Sequence, residues 1–250
     1  MFAAVASAAF SFSGCRAGNN GGERVEWTVM GTVAAVQTRG CPPAAARDPA
    51  KAVFARVESL LNAHDPGSEI SSLSGLDDAA VLSRCDGGVR ACYGEAFRFR
   101  DISGGAFNPR WKGDGTLDLG AIAKGFALDE AAKAVSEQGA AAGDVLLDLG
   151  GNLKSVRGEW KVAVYGGDKV VVLHPGAAIA TSGETFRGRH IFDSRTGECA
   201  RPGVKSVSVI HPSSAMAADA LSTILYILGE SEGGAFLKKH FPEAQAVWVK

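Results

Sequence analysis

Glycine constrains this chain more than any other residue. It supplies 32 of 250 residues, about 13% against an ordinary share of roughly 7%. The glycines follow no collagen-like period, so they serve turns, helix ends and close backbone approaches. In the second half they cut the chain into short apolar runs. Asp144–Leu149 reads as a buried strand running into Gly150-Gly151-Asn152. Trp160–Tyr165, Val170–His174 and Ala177–Thr181 read as an antiparallel meander, and Val204–His211 and Ala244–Val249 as further strands. Val25–Thr38, rich in Val and Thr, reads as a strand or hairpin.

Helical spacing alternates with these strands. Val53, Val57, Leu60 and Leu61 lie on one face of a helix over Asp48–Ala63, with Asp48 as its cap and Pro49 in its first position. His64 to Gly75 is polar and turn-rich. Val89–Ile102 predicts a helix ended by Gly104-Gly105, and Leu119–Gln138 one ended by Gly139. Ser213 caps a helix that Gly229 stops after Leu228, and Ser231–His240 forms a last short helix. Strand runs with helices between them predict an α+β class, with an antiparallel sheet and packed helices, rather than a doubly wound sheet.

Charge narrows the function. With 26 Lys+Arg against 27 Asp+Glu the net charge is −1. That is no field for a dedicated nucleic-acid binder. A hydrophobic share of 46% with 21% charged residues is ordinary globular chemistry.

The first residues differ from the rest. Residues 1–14 (MFAAVASAAFSFSG) carry no charge and are too short to span a bilayer. They fit the apolar region of a secretory signal, and Phe12-Ser13-Gly14-Cys15 looks like a bacterial lipobox in which Cys15 is acylated. Residues 15–24 read as a flexible tether, and the length after it leaves room for one or two domains. The other reading of this segment is a buried N-terminal helix with an ordinary Cys. Cys41, Cys85, Cys92 and Cys199 show no zinc spacing; they form two disulfides or remain four small thiols.

Familiar motifs fail. There is no GxSxG, HExxH or GxGxxG, and Gly120–Gly125 (GAIAKG) lacks the order of a phosphate loop. Three constellations remain. Asp219 and Thr223 stand one turn apart on one helical face, two hard oxygens suited to Mg²⁺ or Ca²⁺; alternatively, Thr223 makes a structural hydrogen bond to the backbone. Asp118 sits at a helix entry with Lys124 behind it, a place for a diphosphate or an ordinary cap beside a surface Lys. His190, before a turn, is either a general base or a core histidine.

In chain order these segments resemble the bacterial FAD:protein FMN transferases, the ApbE family. The matching motifs are Met30-Gly31-Thr32, Asp65-Pro66-Gly67-Ser68-Glu69-Ile70-Ser71, Ser103 to Pro109, and Leu117 to Gly125. Leu149 to Asn152, Thr181-Ser182-Gly183, His190 to Asp193 with Thr196-Gly197, and Ala218 to Thr223 complete the set. The resemblance covers residues 25–250 and implies a single T-fold-like domain that binds FAD and Mg²⁺. It implies Mg²⁺ ligands at Asp219, Thr223 and the Ala121 carbonyl. It implies FAD contacts from Met30, His64, Ala106, Phe107, Asn108, Asp118, Lys124 and Phe192, with His190 as base and Lys124 neutralising phosphate charge.

The activity implied is Mg²⁺-dependent transfer of FMN from FAD to a Thr or Ser hydroxyl of an acceptor protein, with release of AMP. FAD hydrolysis to FMN and AMP, or flavin holding without catalysis, are the alternatives. The resemblance further implies a membrane-associated electron-transfer protein as acceptor. It places the enzyme in the bacterial cell envelope, periplasmic or on the outer face of the inner membrane, with a lipid anchor at Cys15. The sequence departs from the family pattern at several points. His64 stands for Tyr or Trp, Asn108 for Asp, Ser222 for a second Asp and Ser194 for Pro. The connections between Pro109 and Leu117 and between Gly183 and His190 are short.

Overall fold

The computed structural model describes residues 16–17, 21–137, 143–166, 168–183, 191–201 and 203–250. The signal segment, Cys15 and His190 lie outside the described residues. Its strands are β1 (Arg16–Ala17), β2 (Glu23–Val29), β3 (Thr32–Arg39), β4 (Asp144–Leu149), β5 (Asn152–Arg157) and β6 (Trp160–Ala163). They continue with β7 (Val170–Leu173), β8 (Ala178–Gly183), β9 (Phe192–Asp193), β10 (Glu198–Cys199), β11 (Ser206–His211) and β12 (Gln245–Val249). The helices are α1 (Ala44–Leu61), α2 (Glu69–Leu73), α3 (Asp78–Arg84), α4 (Arg90–Ile102), α5 (Ala123–Glu137) and α6 (Ala215–His240). The class is α+β, as the strand and helix pattern predicts.

A seven-stranded antiparallel sheet in the order β12-β11-β8-β5-β4-β3-β2 is the backbone of the fold. Alternation along β4 shows how it is filled. Val145, Leu147 and Leu149 point into the large core shared with the helices, while Leu146 points into a second cluster with Trp160, Val162 and Leu173. That second cluster lies beneath a small sheet, β1-β6-β7. The expected meander is therefore split. β6 and β7 fold over the opposite face, and only β8 joins the main sheet. Arg16–Ala17, expected in a tether, pairs with Ala163 and Val162 of β6.

Several boundaries move for local reasons. α1 begins one turn before Asp48, because Pro42 and Pro43 carbonyls accept the first tight bonds from Ala45 and Ala46. Pro49 falls inside the helix. The turn-rich stretch after His64 holds α2, capped by Ser68, and α3, capped by Asp77, follows Gly75. Ser214, not Ser213, caps α6 by accepting from the Ala217 N–H at 3.0 Å. The break at Gly229 is present, with φ 75° and ψ 175°. β5 was not expected. Gly150 and Gly151, with φ +63° and +86°, form the two-residue turn that folds it back on β4. Among the described residues no disulfide joins Cys41, Cys85, Cys92 and Cys199.

Two helices, α5 and α6, frame the cleft. The first half of α6 is buried almost all round, from Ala217 to Ser222. α5 crosses it at Gly125, where a Cβ would stand 2.2 Å from the Ala215 carbonyl oxygen. Asp129 of α5 closes the contact. Its carboxylate accepts from the Ala215 and Met216 N–H groups at 2.9 and 3.0 Å and from the Ser214 hydroxyl at 3.0 Å. An anion at a helix start is stabilised by the unpaired N–H groups there. Buried Lys154 balances the charge, 2.9 Å from Asp129, and donates to the Gly176 and Ser213 carbonyls. His211 Nδ1 accepts from the Ser213 and Ser214 N–H groups at 3.2 and 3.0 Å.

Both the close crossing and the buried imidazole can be tested. Gly125→Ala should destabilise the fold by about 1–3 kcal/mol through overpacking; urea denaturation checks it, and an unchanged midpoint would contradict the close contact. Burial holds the His211 pKa below its ordinary 6.5, against an opposing pull from Glu243 and Asp129. A neutral His211 therefore stabilises the fold fully above pH 6.5, and that stability is lost as pH falls through the folded value. Between about pH 7 and pH 5, His211→Asn should show a smaller fall in Tm than the wild type; an equal fall would contradict the assignment.

Candidate functional site

A cleft of about 340 Å³ opens where the start of α5, α6, the β4–β5 turn and the end of β8 converge. It brings together His64, Ala106, Phe107, Asn108, Asp118, Ala121, Lys124, Phe192, Asp219 and Thr223, residues more than 150 positions apart at the extremes. Met30 is not among the lining residues. It sits at the β2–β3 turn with φ 53°, donates its N–H to Glu58 at 2.8 Å and packs against the main core.

Asp219 is the buried charge of the cleft, only 5% exposed. Oδ1 accepts from Asn152 Nδ2 at 2.8 Å and lies 3.7 Å from Lys124 Nζ. Oδ2 accepts from the Gly125 N–H at 2.9 Å. In a regular helix that N–H would close a bond onto residue 121, and Ala121 lines the cleft. A buried carboxylate needs such partners, since an unpaired one costs several kcal/mol. One turn along α6, Thr223 Oγ1 lies 3.2 Å from Ser182 Oγ, which also pairs with Ser222 Oγ at 2.8 Å. The site thus offers the Asp219 carboxylate and the Thr223 and Ser182 hydroxyls. Among the described residues no three His, Cys, Asp or Glu side chains group to hold a metal. One carboxylate with neutral oxygens fits a hard cation that takes its remaining ligands from phosphate and water.

Asp118 caps a turn rather than the helix itself. Its Oδ1 accepts from the Gly120 N–H at 2.9 Å, and α5 starts at Ala123, which puts Lys124 in the first turn. Its Oδ2 accepts from Trp111 Nε1 at 3.2 Å. The Trp111 ring stacks on Phe192, with centroids 5.0 Å apart and planes 12° apart. Phe192 opens the β9–β10 hairpin, held in shape by an Arg195–Asp193 ion pair that keeps the Asp193 carboxyl below its usual range. The Ser194 hydroxyl donates to the Gly105 carbonyl, tying this hairpin to the Ser103–Asn108 segment.

Trp111, Asn152 and Ser182 are lining residues whose roles their residue types do not announce. Asn152 and Ser182 fall inside quoted motifs, but nothing in the sequence says that they face Asp219 and Thr223. Trp111 carries only its rarity, as one of 4 Trp in the chain.

Comparison with known proteins agrees with the geometry. The model of the ApbE family matches residues 110–248, more than half of the chain and most of the cleft. An FAD:protein FMN transferase of Treponema pallidum is 36% identical over 160 residues, covering 53% of this chain and 43% of that protein. One of Rhodobacter capsulatus is 38% identical over 134 residues, covering 46% of this chain and 25% of that one. The matched part thus spans less than half the length of these curated relatives. Among solved structures, the ApbE protein of Thermotoga maritima aligns with a TM-score of 0.74 at 20% identity, over 91% of this chain and 94% of that one. The flavin transferase ApbE of Vibrio cholerae aligns with a TM-score of 0.70 over 91% and 97%. The family match and the shared fold lead to one conclusion: this chain belongs to the ApbE family.

Proposed function

We propose that this chain is an FAD:protein FMN transferase, which moves FMN from FAD to a Thr or Ser hydroxyl of an acceptor protein and releases AMP. One observation carries the reading: the buried Asp219 carboxylate shares a cleft with the Thr223 hydroxyl and the Lys124 ammonium, 3.7 Å from Asp219. That is the donor set a diphosphate and its cation require. Asp219, Thr223 and the Ala121 carbonyl would hold Mg²⁺. When bound, Mg²⁺ supplies Lewis-acid stabilisation of the negative charge on the diphosphate.

The chain's own residues do the rest by placement. Lys124 pairs with a phosphate oxygen, and Asn152 and the Gly125 N–H fix the Asp219 carboxylate. Asn108, Asp118, His64 and Phe192 position the dinucleotide along the cleft. The acceptor hydroxyl oxygen attacks the FMN phosphorus as the bond to the AMP phosphate oxygen breaks. The hydroxyl proton passes to His190, a role that rests on the family resemblance alone. Positioning and electrostatics carry such a transfer, with little covalent work asked of the protein. We place the enzyme at the bacterial cell envelope, anchored through an acylated Cys15, beside a membrane-associated electron-transfer acceptor.

Incubation with FAD, Mg²⁺ and an acceptor protein should yield covalent flavin fluorescence on a denaturing gel together with free AMP. AMP without labelled protein would assign FAD hydrolysis instead, and neither product would overturn both enzyme readings. Asp219→Asn should lower turnover by about a hundredfold or more; full activity would refute the cation site. Asn152→Ala should cost about 1–3 kcal/mol of stability by leaving Asp219 short of a buried donor, measured in urea. A loss under about 0.5 kcal/mol would contradict its support of Asp219.

A further inference from the structure

The connection Arg110–Thr116 is short, and it is pinned from both ends and from within. The Asp118 N–H donates to the Pro109 carbonyl at 2.8 Å, and the Leu117 N–H to Ser74 Oγ at 3.0 Å. Arg110 ties the middle: its guanidinium donates to the Gly115 carbonyl at 3.1 Å and the Leu76 carbonyl at 2.6 Å, and it pairs with Asp78 at 3.3 Å. So many fixed bonds make this a built support for whatever it carries.

What it carries into the cleft is Trp111. The indole is fixed twice, by its N–H on Asp118 and by its near-parallel stack on Phe192. Both rings are half-buried and line the cleft, whereas the other large aromatic there, Phe107, is only 3% exposed and belongs to the main core. His64, the remaining ring among the described lining residues, offers the smaller area of an imidazole. Among the described residues the aromatic surface available to a ligand is therefore the Trp111–Phe192 pair. The cation and carboxylate, Lys124 and Asp219, share the same cleft. A ligand matching both features carries a planar heteroaromatic ring joined to a phosphate.

We infer that Trp111 is a binding residue whose indole, paired with Phe192, forms the platform on which the ligand's planar heteroaromatic ring stacks. The inference rests on the flavin-transfer reading and adds the residue that supplies ring affinity. Isoalloxazine and adenine share the required chemistry, and separate ligands tell them apart.

The test measures binding of FAD, FMN, ADP and pyrophosphate to the whole chain in the presence of Mg²⁺, for wild type, Trp111→Ala and Trp111→Phe. Trp111→Ala should weaken FAD by about tenfold or more, the scale of one aromatic stack. Trp111→Phe should stay within about threefold of wild type while losing most of the FAD-induced quenching of tryptophan emission. Pyrophosphate, which has no ring, should bind all three equally. FMN sharing the loss assigns isoalloxazine to the platform; ADP sharing it assigns adenine. FAD affinity unchanged in Trp111→Ala, pyrophosphate binding lost in parallel with FAD, or quenching unchanged in Trp111→Phe would overturn the inference alone. A wild-type chain that binds no FAD would overturn the flavin-transfer reading as well.

Discussion

Asp219 is buried where α5 and α6 come closest, and the cleft takes its shape from how that carboxylate is satisfied. Its two oxygens accept from a side-chain amide on β5 and from a backbone N–H on α5, with an ammonium nearby. The charge can be buried only when these separate elements are all in place. Gly125 permits the close approach, because any Cβ there would collide with the Ala215 carbonyl. Asp129, further along α5 than Lys124, then holds the first N–H groups of α6 and sets where Asp219 falls. A site with one buried carboxylate is costly by itself. Here the cost is offset by donors that also orient it for a ligand.

The rest of the cleft is assembled from loops held by polar bonds. The hairpin carrying Phe192 is tied to the Ser103–Asn108 segment through Ser194, and the short Arg110–Thr116 connection is tied through Arg110. The binding wall is thus placed by side chains that never enter it. The end that holds Asp219 and Lys124 depends on helix packing, and the aromatic end on these ties.

Much of the fold is legible in the sequence because pattern and environment agree. α4 and β4 come directly from residue spacing and from glycines at their ends. The start of α1 is hidden because the two prolines before it act as an N-terminal turn, while Asp48 looks the better cap. β5 is hidden because Lys154 looks like a surface residue. It is buried only because Asp129 and two carbonyls meet its ammonium, and those partners come from remote parts of the chain. The split meander has the same origin, since short valine-rich strands do not say which face of a larger sheet they cover. At the site, Asp219, Thr223 and Lys124 are legible from helical spacing and charge. Met30 is not separable from them in sequence, yet its turn places it outside the cleft lining. Trp111 is silent because its meaning lies in Phe192, a contact across some eighty residues of chain.

The most direct measurement is a crystal structure of the chain grown with FAD and Mn²⁺, read through the anomalous scattering of the metal. An anomalous peak bonded to Asp219 and Thr223 is expected, with the diphosphate of FAD between it and Lys124. A peak elsewhere, or FAD bound outside this cleft, would contradict that placement.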